Sequence, residues 1–462
     1  MADTTDYNES FRPQFHFTAR KNWLNDPNGL FYYRGIYHLF FQHNPFGLEW
    51  GNMTWGHAIS PDLVHWQQLP NALEPDPLGT MFSGSAVVDW ENTTGFQQGD
   101  HPPIVLIYTA AGNTSPASEG KPFTQCLAYS TDGGYSWQKY PGNPVLACIR
   151  PENRDPKVIW HAPSRRWIMT LYLDGNEFAF FSSPDLKTWT PLHTLSAPDS
   201  IECPDFFEIP LEGSSDLSKW VWIAGNGRYY VGRFDGKHFQ PETDLLIGDY
   251  GANFYACQTY SDAPEGRRIQ IAWMRGGKYP GMPFNQQMSF PCELRLLQTP
   301  LGWRLTRFPV REIETLYVQR HFYSEISLQN RSLSIPALKS WLIDFSCQIE
   351  SENDGGLEFN IHGQKVIFDF HSGTVSCLGQ IAPLYPLPGP LDVRILVDRT
   401  SLELFAQNGL ISITSCYLPE SEFPEFVGVA HFSRINIRNF TLWEMDSAWM
   451  QRNIDEQGAH HL

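Results

Sequence analysis

A chain of 462 residues has room for two or three domains with cores of their own. Aromatic residues make up 14% of it and charged residues only 18%, which excludes an intrinsically disordered protein. The net charge of −17 argues against nucleic acid or an anionic membrane as partner, because both demand a basic surface, but it suits a neutral ligand.

The chain opens MADTTDYNESFRPQFHF, with no basic segment leading into an apolar one, and no later run approaches the ~20 apolar residues of a membrane span. The expected location is cytoplasmic if the chain is complete, and secreted if its N-terminus has been processed. NWLNDPNG (22–29) follows, where Asn, Asp, Pro and Gly together read as a turn that carries an acid. SPDLVHW (60–66) then returns as STDGGYSW (130–137), SPDLKTW (183–189) and, degenerately, DGKHF (235–239). Each copy is a Ser/Asp turn closed by an aromatic, and strand-like runs such as IVLIYTA, RWIMTLYL and WVWIAGN lie between copies. The copies stand roughly 50 to 70 residues apart, the length of a four-stranded propeller blade, so the first ~300 residues accommodate about five blades.

The texture changes near residue 310. VREIETLYVQR (310–320) has helical periodicity and reads as a connector. LELFAQNGLISIT (402–414) reads as a hairpin with Asn408-Gly409 as a type I′ turn, and the alternating strands around it suggest a β-sandwich. The expected fold is all-β: a five-bladed β-propeller over 1–308, a helical linker over 309–320 and a β-sandwich over 321–462, with IDEQGAHHL as a frayed tail.

Three acids share one setting, beside a proline and among aromatics: Asp26 in NDPNG, Asp155 in NRDPK and Glu202 in IECPDFF. The repeat map puts them on separate blades, whose inner strands converge on one axis. Apolar neighbours would raise one carboxyl, as a general acid needs, while a better hydrogen-bonded one stays ionised; glycoside hydrolysis uses such a pair. Trp23, Trp50, Trp55, Phe82 and Trp273 fall near the same motifs, and flat rings suit the CH faces of sugars. No GxSxG, P-loop or HExxH occurs, and GNGRYYVG (225–232) lacks the third glycine of a dinucleotide fingerprint. None of the eight cysteines forms CxxC. Neither metal nor cofactor is expected.

NWLNDPNG, FFQHNP (40–45), WGHA (55–58), FSGSAVVDWENTTGF (82–96), RDPK (154–157), ECPD (202–205), NFYACQ (253–258) and VDRTSLELF (397–405) stand in the order seen in glycoside hydrolase family 32, which this chain resembles from about residue 11 to 450. That family holds invertases, exo-inulinases and levanases on a five-bladed propeller followed by a sandwich. The resemblance implies Asp26 as nucleophile on the anomeric carbon of a terminal fructosyl unit and Glu202 as acid/base. It implies Asp155, with Arg154, as the pair that grips the fructose hydroxyls, and Asn25, Gln42, Trp50, Phe82, Ser83 and Trp273 as pocket residues. The chain departs from common family patterns at Leu24, Ile201 and Asn253. The implied activity is a retaining exo-fructosidase acting on sucrose, fructo-oligosaccharides, inulin or levan. Alternatives are an endo-acting levanase or inulinase, a transfructosylase, or a non-catalytic fructan-binding protein. The oligomeric state is left open.

Overall fold

The computed structural model describes residues 7–214, 216–329, 332–335, 338–352, 354–419, 423–432 and 434–449. The tail expected over 454–462 lies outside the described residues. The chain is all-β, and its only helical turns among the described residues are short 3₁₀ segments.

Up to Pro309 the strands form five sheets in succession. Their first strands are Asn22–Tyr33, Thr80–Val88, Arg154–His161, Asp205–Pro210 and Tyr255–Thr259. Each of these lies against the next, and Tyr255–Thr259 also lies against Asn22–Tyr33. A short segment of the fifth sheet's region, Phe284–Asn285, pairs in parallel with Asn22 and Trp23 of the first sheet. Apolar layers fill the gaps between neighbouring sheets. Phe31, Phe40 and Trp55 of the first meet Met81, Leu106 and Tyr108 of the second, while Phe178 and Phe180 of the third meet Phe206 and Trp222 of the fourth. Two six-stranded sheets follow, facing each other across a core that includes Phe345, Phe359, Phe426 and Phe440. This architecture is consistent with an N-terminal propeller and a C-terminal sandwich.

The repeated Ser-Asp motif occupies the same place in four sheets, the link from third strand to fourth. Asp62 Oδ1 accepts from the N–H groups of Val64 and His65, and Asp185 Oδ1 accepts from those of Lys187 and Thr188. Asp132 and Asp235 cap their turns in the same way. In two copies the closing tryptophan turns its indole back onto the turn: Trp66 Nε1 donates to Leu63 O and Trp189 Nε1 to Leu186 O. The motif is thus a backbone device, an aspartate satisfying donors that the turn leaves free.

Two local expectations are corrected. The segment 310–320 is not one helix: a 3₁₀ turn covers Arg311–Leu316, and the chain enters an edge strand of the sandwich at Tyr317. Its buried residues Val310, Ile313 and Leu316 repeat every third position, which matches a 3₁₀ turn better than an α-helix. The hairpin of Ser401–Ala406 and Ile411–Cys416 is present, but Ala406 pairs with Ile411, leaving a four-residue loop over 407–410. Gln407 joins Asn408 and Gly409 at positive φ there.

The VDRTSLELF segment joins the two halves of the molecule. Asp398 accepts from the backbone N–H groups of Gln14, Phe15 and His16, and His16 bridges Asp398 (2.8 Å) and Glu403 (2.7 Å) with all three side chains buried. Burial opposes charge on His16, but the two carboxylates outweigh it and raise its pKa from 6.5 to about 9. A group raised on folding stabilises the protein fully below its unfolded pKa, and that contribution is lost as pH climbs through the folded value. The unfolding midpoint should therefore fall between pH 6.5 and 9. His16→Phe, which strands two buried carboxylates, should cost about 3–5 kcal/mol and remove this slope; denaturant titrations of both proteins across that range check it.

Candidate active site

The three acids lie on three different sheets. Asp26 is in the first strand of the first sheet, Asp155 in the first strand of the third, and Glu202 just ahead of the first strand of the fourth. NDPNG is not a turn: all five residues belong to the strand Asn22–Tyr33. The turn-forming residues instead serve irregularities in its pairing with Ile36–Asn44, where the register slips between Leu24 and Pro27 and again between Asn28 and Phe31. Proline donates nothing to a ladder and is tolerated where the ladder is already broken. Gly29 has φ +52, and a Cβ there would stand 2.6 Å from the Phe40 ring and 2.9 Å from Trp55.

The same device recurs in the first strands of other sheets. Register slips between Phe82 and Gly84, beside Ser83, and between Tyr255 and Gln258. Opposite Arg154–Lys157 it slips between Thr170 and Tyr172. Asp155, Glu202, Cys203 and Ala256 all have positive φ. Such backbone is costly for non-glycine residues and persists only where its surroundings impose it. Bulges and strained φ together turn these side chains off their strands toward a shared point.

There, Asp26 Oδ1 accepts from Asn25 Nδ2 (3.0 Å) and Oδ2 from Ser83 Oγ (2.7 Å). The Cys203 thiol lies 3.5 Å from both Asp26 Oδ2 and Asp155 Oδ2, tying two of the acids together. Asp155 Oδ2 also accepts from the Cys203 N–H (3.2 Å). Arg154 Nη2 donates to Glu202 Oε1 (2.6 Å), and its Nε stands 3.8 Å from Asp155. The Tyr255 hydroxyl donates to Glu202 Oε2. Burial raises Asp26 above the usual carboxylate range despite the bonds from Ser83 and Asn25. Burial pushes Asp155 up to about 7, opposed by Arg154 and reinforced by Glu202 and Asp26. Burial and the nearby Cys203 and Glu202 raise Tyr255, so it is a phenol that donates. Phe206 and Phe207 do not surround Glu202, as its sequence neighbourhood suggests. They alternate along their strand into two inter-sheet layers, and the Glu202 carboxyl meets Arg154 and Tyr255 instead.

The pocket candidates sort by distance from the acids. Asn25 and Ser83 touch Asp26 directly. Gln42 is one shell further out: with the Asn28 amide oriented to satisfy its neighbours, Gln42 Nε2 donates to Asn28 (2.9 Å), which donates to Ser83 Oγ (3.2 Å). Trp273 is held by Gln286 Oε1 (3.0 Å) and stands edge-on to Trp23 and Tyr255, with centroids 6.1 and 6.2 Å away. Trp50 is 55% exposed and meets Phe82 edge-on at 6.0 Å, so both belong to a rim. Trp55 leaves the group: it is fully buried, and its indole donates to Phe82 O, supporting that residue from behind.

Cys203, Tyr255 and Arg275 were not singled out by the sequence. The first two lie inside ECPD and NFYACQ: Cys203 adjoins Glu202, a signal that was available, whereas NFYACQ holds no acid to mark Tyr255. Arg275, stacked over Tyr255 (4.8 Å) and Trp273 (5.8 Å), carries no such cue. Asn253 receives the N–H of Cys416 from the sandwich and donates to Arg275 O (2.6 Å), so the second half of the chain reaches the rim through it.

A close group of carboxyls with a proton donor and a guanidinium among them can carry out nucleophilic displacement with acid assistance. The comparisons agree with that chemistry. The family model described as "Glycosyl hydrolases family 32 N-terminal domain" matches residues 16–305, and "Glycosyl hydrolases family 32 C terminal" matches residues 319–444. A levanase of Bacillus subtilis is 36% identical over 97% of this chain and 72% of its own. An extracellular exo-inulinase of Aspergillus awamori is 31% identical over 90% of this chain and 91% of its own. Among solved structures, a fructofuranosidase from Schwanniomyces occidentalis complexed with fructose superposes with a TM-score of 0.86 at 28% identity, covering 96% of this chain and all of that one. With both halves matched, the chain belongs to glycosyl hydrolase family 32.

Proposed function

We propose that this protein is a retaining β-fructosidase that removes terminal fructose from sucrose and fructans at the axis of a closed ring of five blades. The catalytic domain extends to about residue 308, and the sandwich flanks the opening without supplying an acid. The observation that carries the reading is the meeting of Asp26, Asp155 and Glu202 with Arg154 and Ser83 in one desolvated cluster. Asp26, steadied by Asn25 and Ser83, attacks the anomeric carbon C2 and forms a fructosyl ester as the C2–O bond to the leaving sugar breaks. Glu202 gives its proton to that leaving oxygen. It then takes a proton from water, whose oxygen displaces Asp26 from C2, so that two inversions retain configuration. Asp155 and Arg154 hold the ring hydroxyls, and Tyr255 fixes the Glu202 carboxyl for both transfers. No cofactor or metal enters this scheme.

The rim made by Trp50 and Phe82, with Trp273 deeper in, supports action at chain ends, because such walls receive one terminal unit and concentrate binding energy on it. Free fructose should dominate the early products from inulin or levan, with polymer length falling slowly; chromatography of the first few per cent of reaction checks it. Early fructo-oligosaccharides would point to endo action, and fructose appearing on a second sugar to transfer.

A further inference from the structure

The three acids sit at one end of the innermost strands. Asp155 opens the strand Arg154–His161, and Ile159 and Trp160 lie four and five residues further along. At about 3.3 Å per residue that is ~13–17 Å away. Ser83 and Val87–Val88 are related in the same way along Thr80–Val88, and Ser261–Asp262 follow Tyr255 by six and seven residues, just beyond the fifth sheet's first strand. The ends remote from the acids border a cavity of about 470 Å³. Between the two ends the path is filled by side chains: Lys157 pairs with Asp205 (3.1 Å) and donates to Thr259 O (2.8 Å).

The cavity's lining is unusual for a structural gap. It carries three indoles, Trp90, Trp160 and Trp167, and three charged groups, Glu91, Asp262 and Arg268. Trp90 is 61% exposed, yet its plane is fixed because Nε1 donates to Asp262 Oδ1 (2.9 Å). Trp167 is fixed by Thr93 Oγ1 (2.8 Å) and stands 4.9 Å from Trp160. Arg268 Nε is buried with no acceptor among the described residues. Its other nitrogens donate to backbone oxygens outside the cavity lining, to Tyr260 O (3.5 Å) and Glu208 O (3.2 Å).

We infer that this cavity is a second carbohydrate-binding site that holds internal fructosyl units of a fructan chain, away from the catalytic centre. An apolar ligand would leave Arg268 Nε desolvated with no acceptor, and would strip water from the Asp262 and Glu91 carboxylates, which bond Trp90 and Arg165. An anionic ligand would meet two carboxylates and a strongly negative protein. A neutral polyol satisfies donor and acceptor alike, and its CH faces cover fixed indoles. Internal units far outnumber chain ends, so this site keeps the enzyme on the polymer while the catalytic pocket samples ends. The inference rests on the fructosidase reading above.

The test is affinity electrophoresis of the full chain in gels containing levan or inulin, in a Glu202→Gln background that leaves the polymer intact. Adding Trp90→Ala should weaken retardation about fivefold or more, the effect of losing a hot-spot aromatic. In the active background, Trp90→Ala should keep kcat/KM on sucrose within about twofold while KM for the polymer rises. Asp262→Asn, which keeps the side chain's size, should act in the same direction if Trp90→Ala fails to fold. Retardation unchanged by a folded variant, or absent altogether, overturns the second site while leaving the fructosidase reading intact. Absence of turnover on sucrose and fructans by the native chain would instead sink that reading.

Discussion

Asp26→Ala should turn over sucrose at least ~10⁴-fold more slowly than the native protein, with an unfolding free energy unchanged to within about 1 kcal/mol. The size of the loss follows from the role: without the carboxylate no covalent route exists, and water has no positioned base on that face of the sugar. The stability follows from the site. Asp26 is a half-buried acid whose desolvation raises its pKa, and it shares the cluster with Asp155 and Glu202. Removing it relieves repulsion among acids, which offsets the lost bonds from Ser83 and Asn25. The strand that carries it is already irregular there, so its ladder loses nothing. Fructose release from sucrose and a urea titration check both parts. A variant that kept a tenth of its activity would remove Asp26 from the nucleophile's role.

Glu202→Gln separates two steps that the native enzyme runs together. On sucrose or inulin, whose leaving groups need a proton, the variant should be slower by about 10²–10⁴-fold. On an activated aryl fructoside the leaving phenolate departs unaided, so the first turnover should proceed at near the native rate. Water must then attack the fructosyl ester without a base, and later turnovers should stall. Arg154 and Tyr255 both bond the Glu202 carboxyl, and glutamine keeps its shape, so the pocket stays formed. Stopped-flow release of the phenol on both substrate classes makes the comparison. Equal losses on the two classes would deny Glu202 the proton.

Much of this was legible in the sequence, for physical reasons that can be stated. The Ser-Asp-aromatic repeat was visible because each copy performs the same local task, an aspartate capping its own turn, and local tasks leave local signatures. The acids stood out because bulged strands carry proline and glycine, which punctuate sequence as visibly as turns do. That similarity also misled: NDPNG has the composition of a turn and the conformation of a strand. Val310, Ile313 and Leu316 misled in another way, since a spacing of three serves a 3₁₀ turn as well as an α-helix. What could not be read was any property set by contact across sheets. Glu202 is followed by Cys203-Pro204-Asp205-Phe206-Phe207, yet its carboxyl meets Arg154 and Tyr255, 48 and 53 residues away. The His16 bridge to Asp398 and Glu403 spans more than 380 residues, and nothing near His16 announces it.

The central claim, a double displacement through Asp26, is tested most directly by trapping the fructosyl enzyme. Full-length Glu202→Gln is mixed with an aryl fructoside, quenched in acid within the burst, digested and analysed by mass spectrometry. The mechanism predicts a burst of one phenol per active site and one peptide heavier by a single fructosyl residue, with fragmentation placing it on Asp26. Steady turnover without a burst, an adduct on another residue, or release of the inverted anomer by the native enzyme would contradict it.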